Sequence, residues 1–197
     1  YSKAISNYDK YHQVSHRKDR NLAIFTIAEI YEKQNQMKMA QDYYEKFLNV
    51  GGADKEKNIE ATFKIAEISE KRGRIPEADK GFLRVISMQK NAASEGKNVG
   101  VMYAAESKLR MSERTYAEFT AIRIPASPQA QGQAVQKKLA LLTKISNQMT
   151  DIIKMDEGNM VIASLTRLGQ CYEHLSQALW KAPLPKDLTG KDLEAYK

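Results

Sequence analysis

One cysteine, Cys171, stands among 197 residues, so no disulfide can form within the chain and its redox compartment stays open. Prolines and glycines are few and fall mostly between stretches of regular apolar spacing, and runs of β-branched residues are scarce. A chain with its breakers so confined has little of what short strands and hairpins require. No apolar run is long enough to cross a bilayer, and no signal-peptide pattern is present. Gly96 and Gly100 are four apart but lack the Gly-Lys-Ser/Thr of a phosphate loop. No Ser, His and Asp set lies in a recognisable hydrolase context. Nothing in these patterns argues for an enzyme, a cofactor or a metal.

What is abundant is Ala, Lys, Glu, Gln and Met, all good helix formers, and the expectation is an all-α fold. Basic residues outnumber acidic ones by 31 to 24, for a formal charge of +7. The densest basic stretch holds Lys10, Arg17, Lys18 and Arg20 with His12 and His16, beside Asp9 and Asp19. No helix-turn-helix spacing or aromatic interleaving accompanies it, so a solvated face is the better reading and nucleic-acid binding is not expected. His12 and His16 could share a helix face as metal ligands, but a polar, charged helix end explains them as well. Cys171 reads as a small buried side chain rather than a nucleophile.

The chain contains a repeat. Ile27 to Lys33 reads IAEIYEK and Ile65 to Lys71 reads IAEISEK, six identities in seven at an offset of 38. Asn35 then matches Gly73 at a turn, Ala40 matches Ala78, and Tyr44 matches Phe82. These residues resemble the tetratricopeptide repeat, a helix–turn–helix unit of about 34 residues. Ile24, Ile27-Ala28, Tyr31, Ala40 and Tyr44 supply one signature, and Thr62, Ile65-Ala66, Ser69, Ala78 and Phe82 the next. Ala4 and Tyr8 fit a preceding second helix, and Leu165, Leu168-Gly169 and Tyr172 a later first helix. The resemblance implies a right-handed α-solenoid of antiparallel helix pairs, in which units stack because one alone cannot bury its apolar face. Asp19 and Asp54 are placed to cap the helices that follow them, and Pro76 to open a second helix.

Between the signatures the periodicity is helical but different. Val101, Met102, Ala105, Leu109, Tyr116, Phe119 and Ile122 form one helix. After a break at residues 124–128, Val135, Leu139, Leu142, Ile145, Met149 and Ile152 form a longer one. These read as a longer, irregular helix pair in the middle of the solenoid. The expected layout is one helical-repeat domain: a second helix (1–18), two repeats (19–53 and 54–95), the long pair (96–156), and a repeat-like helix, Pro linker and helix start with Thr189 as cap (157–197). Both ends read as cut from a longer solenoid. The later Leu-Gly-x-x-Tyr helix, Pro-x-Pro linker and Leu-Thr start also resemble large repeat proteins of the bacterial cell envelope, including gliding-motility machinery. That resemblance implies a periplasmic or envelope location.

In such repeats the first helices line a groove, and the resemblance assigns to it Phe25, Glu29, Glu32, Phe63, Glu67, Glu70, Thr166, Gln170 and Glu173. Phe and Glu cannot clamp a partner's C-terminal carboxylate. The implied groove is acidic with an aromatic floor, suited to a basic or apolar peptide or helix of a partner protein. The competing expectation is that these glutamates only pair with Lys33, Lys64 or Lys71 along the helices. The function implied is a protein-interaction scaffold or adaptor; the alternative is an architectural spacer of an envelope or motility complex, and a third reading, a nucleic-acid-associated solenoid, is favoured only by the net charge.

Overall fold

The computed structural model describes residues 1–14, 17–51, 54–184, 190, 191 and 194, with backbone only at 14 and 17–20. Among the described residues there are eight α-helices and no strand. They are α1 (Ser2–Val14), α2 (Arg17–Lys33), α3 (Met37–Val50), α4 (Lys55–Lys71), α5 (Ile75–Ser94), α6 (Val101–Ala121), α7 (Pro128–Ile153) and α8 (Gly158–Trp180). No helix among these residues is long and apolar enough to cross a membrane. The chain divides within α6 into two compact units, Tyr1–Ser107 and Lys108–Lys197.

In the first unit consecutive helices pack in turn, α1 on α2, α2 on α3, α3 on α4 and α4 on α5. The hairpins α2–α3 and α4–α5 close through the same backbone turn. Asn35 (φ 58°) and Gly73 (φ 73°) both adopt the left-handed conformation that ends many helices. The Gln36 amide donates to Tyr31 C=O and the Arg74 amide to Ser69 C=O, each at 2.9 Å. The Asn35 and Gly73 amides donate to Glu32 and Glu70 C=O, also at 2.9 Å. These four bonds satisfy carbonyls that a helix end would leave bare. Asparagine tolerates the left-handed region better than most residues, which is why it can stand where the second hairpin has glycine.

The turns deliver Ala40 and Ala78, then Tyr44 and Phe82, into the interior, all fully buried. Ile24, Phe25 and Ala28 of α2 pack with Ala40, Tyr44 and Phe47 of α3 in one cluster. In the second hairpin the approach is closer still. A Cβ placed on Gly81 would lie 2.6 Å from the Ala66 Cβ and 3.2 Å from its Cα, so only glycine fits. Asp54 caps α4, accepting from the Lys57 amide at 2.8 Å. Pro76 lies in the first turn of α5, where its missing N–H costs nothing. Asp19 does not cap α2, which begins two residues earlier at Arg17. Thr189, expected as a cap, lies outside the described residues.

In the second unit α7 packs on α8. Leu142, Ile145, Met149 and Ile152 are buried along α7, but Leu139 is 46% exposed and Lys138 takes the core position. The buried stripe runs Gln131, Lys138, Leu142, Ile145, Met149, Ile152, so after Lys138 the steps alternate four and three, the spacing of one helical face. Pro128 belongs to the first turn of α7 rather than to the break before it.

Gly81→Ala is expected to lower stability by about 1–3 kcal/mol through overpacking against Ala66. Gly132→Ala, where an added Cβ meets nothing within 4 Å, is expected to be neutral or to stabilise its helix by up to about 1 kcal/mol. Thermal or urea unfolding of the two variants checks the contrast.

Candidate interaction surfaces

The candidate residues on α2 and α4 separate into core and surface. Phe25 packs edge-on to Tyr44 and Phe47, with ring centroids 5.3 and 5.1 Å away. Phe63 packs on Phe82 at 5.9 Å and on Tyr103 at 5.4 Å. Both phenylalanines are buried, so they give the surface no aromatic floor. The buried face is wider than the repeat signature on both helices: it also covers the position after Ile24 on α2 and the position after Thr62 on α4.

The glutamates form a connected polar layer. Glu32 accepts from the buried Tyr44 hydroxyl at 3.0 Å and from Lys64 Nζ at 3.2 Å. Lys71 lies 3.9 Å from Glu32 and 3.4 Å from Glu67, while Lys64 is 3.7 Å from Glu67. Two lysines of α4 thus tie a carboxylate of α2 to one of their own helix. Burial works against the Lys64 charge, but Glu32, then Glu67 and Glu60, outweigh it and raise its pKa. Burial, then the charge of Glu32 and its hydrogen bond, push the Tyr44 phenol far above its ordinary range, with Glu29 and Glu60 adding to the effect. Tyr103 is raised in the same way, by burial and then by Glu60, with Glu56 and Glu29 behind it.

Glu29 is partly buried and makes no ion pair among the described residues. Its field is felt by Tyr44 and Tyr103, which do not neutralise it. Glu70 is partly buried near the C-terminus of α4. Glu60 and Tyr103 belong to the same surface, although the repeat signature contains neither. Lys57 leans over the Phe25 ring at 4.4 Å and pairs with Glu60 at 2.7 Å, closing one side of it. His12 is partly buried; its expected companion His16 lies outside the described residues.

In the second unit Thr166, Gln170 and Glu173 are all exposed on α8. Thr166 bonds back to Ile162 C=O at 2.9 Å, Gln170 accepts from Arg167 at 2.8 Å, and Glu173 accepts from Gln177 at 3.0 Å. Around them lie Ile162, Leu165, Tyr172, Leu179 and Trp180, exposed by 65, 56, 57, 47 and 90%. The corresponding stripe is closed in the first unit: Asn21, Ile24 and Ala28 of α2 are buried, as are Ile59, Thr62, Ala66 and Ser69 of α4. There a following helix covers the stripe. On α8 it is bare.

Unit two also buries a cation. Lys138 Nζ donates to Phe119 C=O at 2.7 Å, lies 3.3 Å from His174 Nδ1, and sits 4.4 Å over the Phe119 ring. Phe119 is in the last turn of α6, where a helix presents unpaired carbonyls and favours positive charge. Burial lowers the Lys138 pKa. Burial, then the Lys138 charge, lowers that of His174. Cys171 is buried and its thiol is pushed up by burial. Arg167 lies on the Tyr116 ring at 4.1 Å and pairs with Glu113 at 2.6 Å.

Comparison with protein-family models, curated proteins and solved structures finds no match to this chain.

A lowered histidine pKa makes the folded state prefer neutral His174. Its contribution to stability is present above the ordinary value of 6.5 and is lost as pH falls from there toward the folded value. The expected outcome is a unit-two stability that drops as pH falls below 6.5, and a shallower drop in His174→Gln. Native-state amide hydrogen exchange in α7 and α8 across that range checks it.

Proposed function

We propose that the chain is a non-catalytic protein–protein interaction scaffold, built as a tetratricopeptide-like right-handed α-solenoid. Its α2–α4 surface receives a basic peptide or helix of a partner protein. The observation that carries this reading is Glu29, a partly buried carboxylate with no ion pair among the described residues, beside the Glu32–Lys64–Glu67–Lys71 layer. A partner's Lys or Arg placed there would gain a counter-charge in a partly desolvated setting. The solenoid reading is supported by two hairpins at an offset of 38 with the same turn bonds and the same small-then-aromatic order. A hairpin of that kind leaves an apolar face open and is completed by stacking on its neighbour.

A second reading, an architectural spacer of an envelope or motility complex, is favoured by a specific observation. Glu32 and Glu67 are already paired with lysines, and Phe25 and Phe63 lie inside the core. On that reading the polar layer sets the spacing between α2 and α4 and binds nothing.

An array of basic helical peptides separates the two. Glu29→Lys is expected to weaken the best binders at least tenfold, about 1.4 kcal/mol, with helical content unchanged and acidic control peptides unaffected. If no basic peptide binds, or if the charge reversal leaves binding intact, the spacer reading stands.

A further inference from the structure

We propose that the bare face of α8 is a homodimer interface, on which α8 of a second copy of this chain lies antiparallel. The stripe consists of Ile162, Leu165, Gly169, Tyr172, Ser176 and Leu179, spaced three, four, three, four and three. All six are exposed, and that spacing is the seam by which two helices pack side by side.

The sizes along the seam make it complementary to itself. A two-fold axis midway along the stripe sets Gly169 against Tyr172 of the second copy, Leu165 against its Ser176, and Ile162 against its Leu179. Two large residues each meet a small one, and the outer pair is aliphatic. Gly169 supplies an independent reason. A glycine inside a helix weakens it, yet a Cβ added here would meet nothing within 4 Å. Among the described residues no contact accounts for Gly169, whereas a facing Tyr172 ring would lie over it.

Charge and area agree with an interface. Glu173 is the one charged side chain on the exposed face between Ile162 and Trp180, in a chain where 28% of residues are charged. In the antiparallel pair it falls near Thr166 of the second copy, so no like charges meet. Depletion of charge with retention of aromatic residues marks the centres of protein interfaces. From their fractional exposures, the five large apolar side chains present about 600 Å² per copy. Complete burial of all five in both copies would remove ~1,200 Å² from water, the lower end of the range for specific complexes. The geometry repeats what α3 does for α2 and α5 for α4: an antiparallel helix covers the same stripe. This inference stands whether or not the α2–α4 surface binds a partner.

Sedimentation equilibrium on the full chain, at about 1–200 µM, tests it. The expected result is a species of twice the 22.3 kDa chain mass. Leu165→Glu, at an exposed position that spares the fold, should weaken association at least tenfold with unchanged circular dichroism. Gly169→Gln should raise the midpoint of thermal unfolding of the dilute monomer while also weakening association, a pairing of effects that a purely structural glycine would not give. In a Cys171→Ala background, Leu165→Cys and Ser176→Cys chains should form a disulfide when mixed and none when separate. A monomer at the highest concentration, or a dimer indifferent to Leu165→Glu, would overturn the proposal. Cross-linking of the Leu165→Cys chain to itself would overturn the antiparallel pairing.

Discussion

The first unit depends on how closely two helices can approach at one small residue. Ala28 and Ala66 occupy equivalent places on α2 and α4, and both are buried by the helix that follows. At Ala66 the approach is so close that Gly81 admits no side chain. Bringing the backbones together there lets Tyr44 and Phe82 reach the interior and sets the register of each hairpin. The left-handed turns at Asn35 and Gly73 fall five residues after the Ile30 and Ile68 positions because the helices must reverse there to return over the same alanine. Close packing of small side chains gains many weak dispersion contacts and forfeits them steeply if the helices part.

Charge is arranged around these contacts rather than spread evenly. The chain is basic, yet the polar layer between α2 and α4 combines Glu32 and Glu67 with Lys64 and Lys71, and among the described residues Glu29 has no ion pair. In the second unit, Lys138 is buried with a helix-end carbonyl, an aromatic face and a neutral imidazole in place of a carboxylate. A cation so placed is acceptable because the α6 C-terminus carries the compensating partial charge. The two units therefore handle lysine differently: partly buried Lys64 is met by carboxylates, and buried Lys138 by a helix dipole.

Much of this could be read from the residues. The offset of 38, the equivalence of Asn35 with Gly73, and the caps at Asp54 and Pro76 are local features whose signals lie within a few positions. The limits of the remaining elements depend on competition that sequence spacing does not resolve. Asp19 looks like a cap, but α2 extends through it. Sequence spacing favours Leu139 over Lys138, because a charged residue on an apolar stripe reads as a break in the pattern. Its place becomes legible only when the carbonyl of Phe119 is known to face it. For the candidate surfaces, the helix positions were legible and their depth was not. Phe25 and Glu29 are four apart on one helix, yet one is core and the other reaches the surface. Glu60 and Tyr103 join the acidic surface through a contact between α4 and the start of α6, which no local motif encodes.

The central claim is that α2–α3 and α4–α5 are two copies of one structural unit, each stabilised mainly by itself and its immediate neighbour. Native-state amide hydrogen exchange on Asp54→Ala, which removes the α4 cap, tests it most directly, since such caps are worth about 1 kcal/mol. The account predicts that protection falls most in α4 and α5, less in α2 and α3, and least in α1. An equal loss of protection from α1 through α5 would contradict it, because the first unit would then be a single cooperative body and not a series of coupled hairpins.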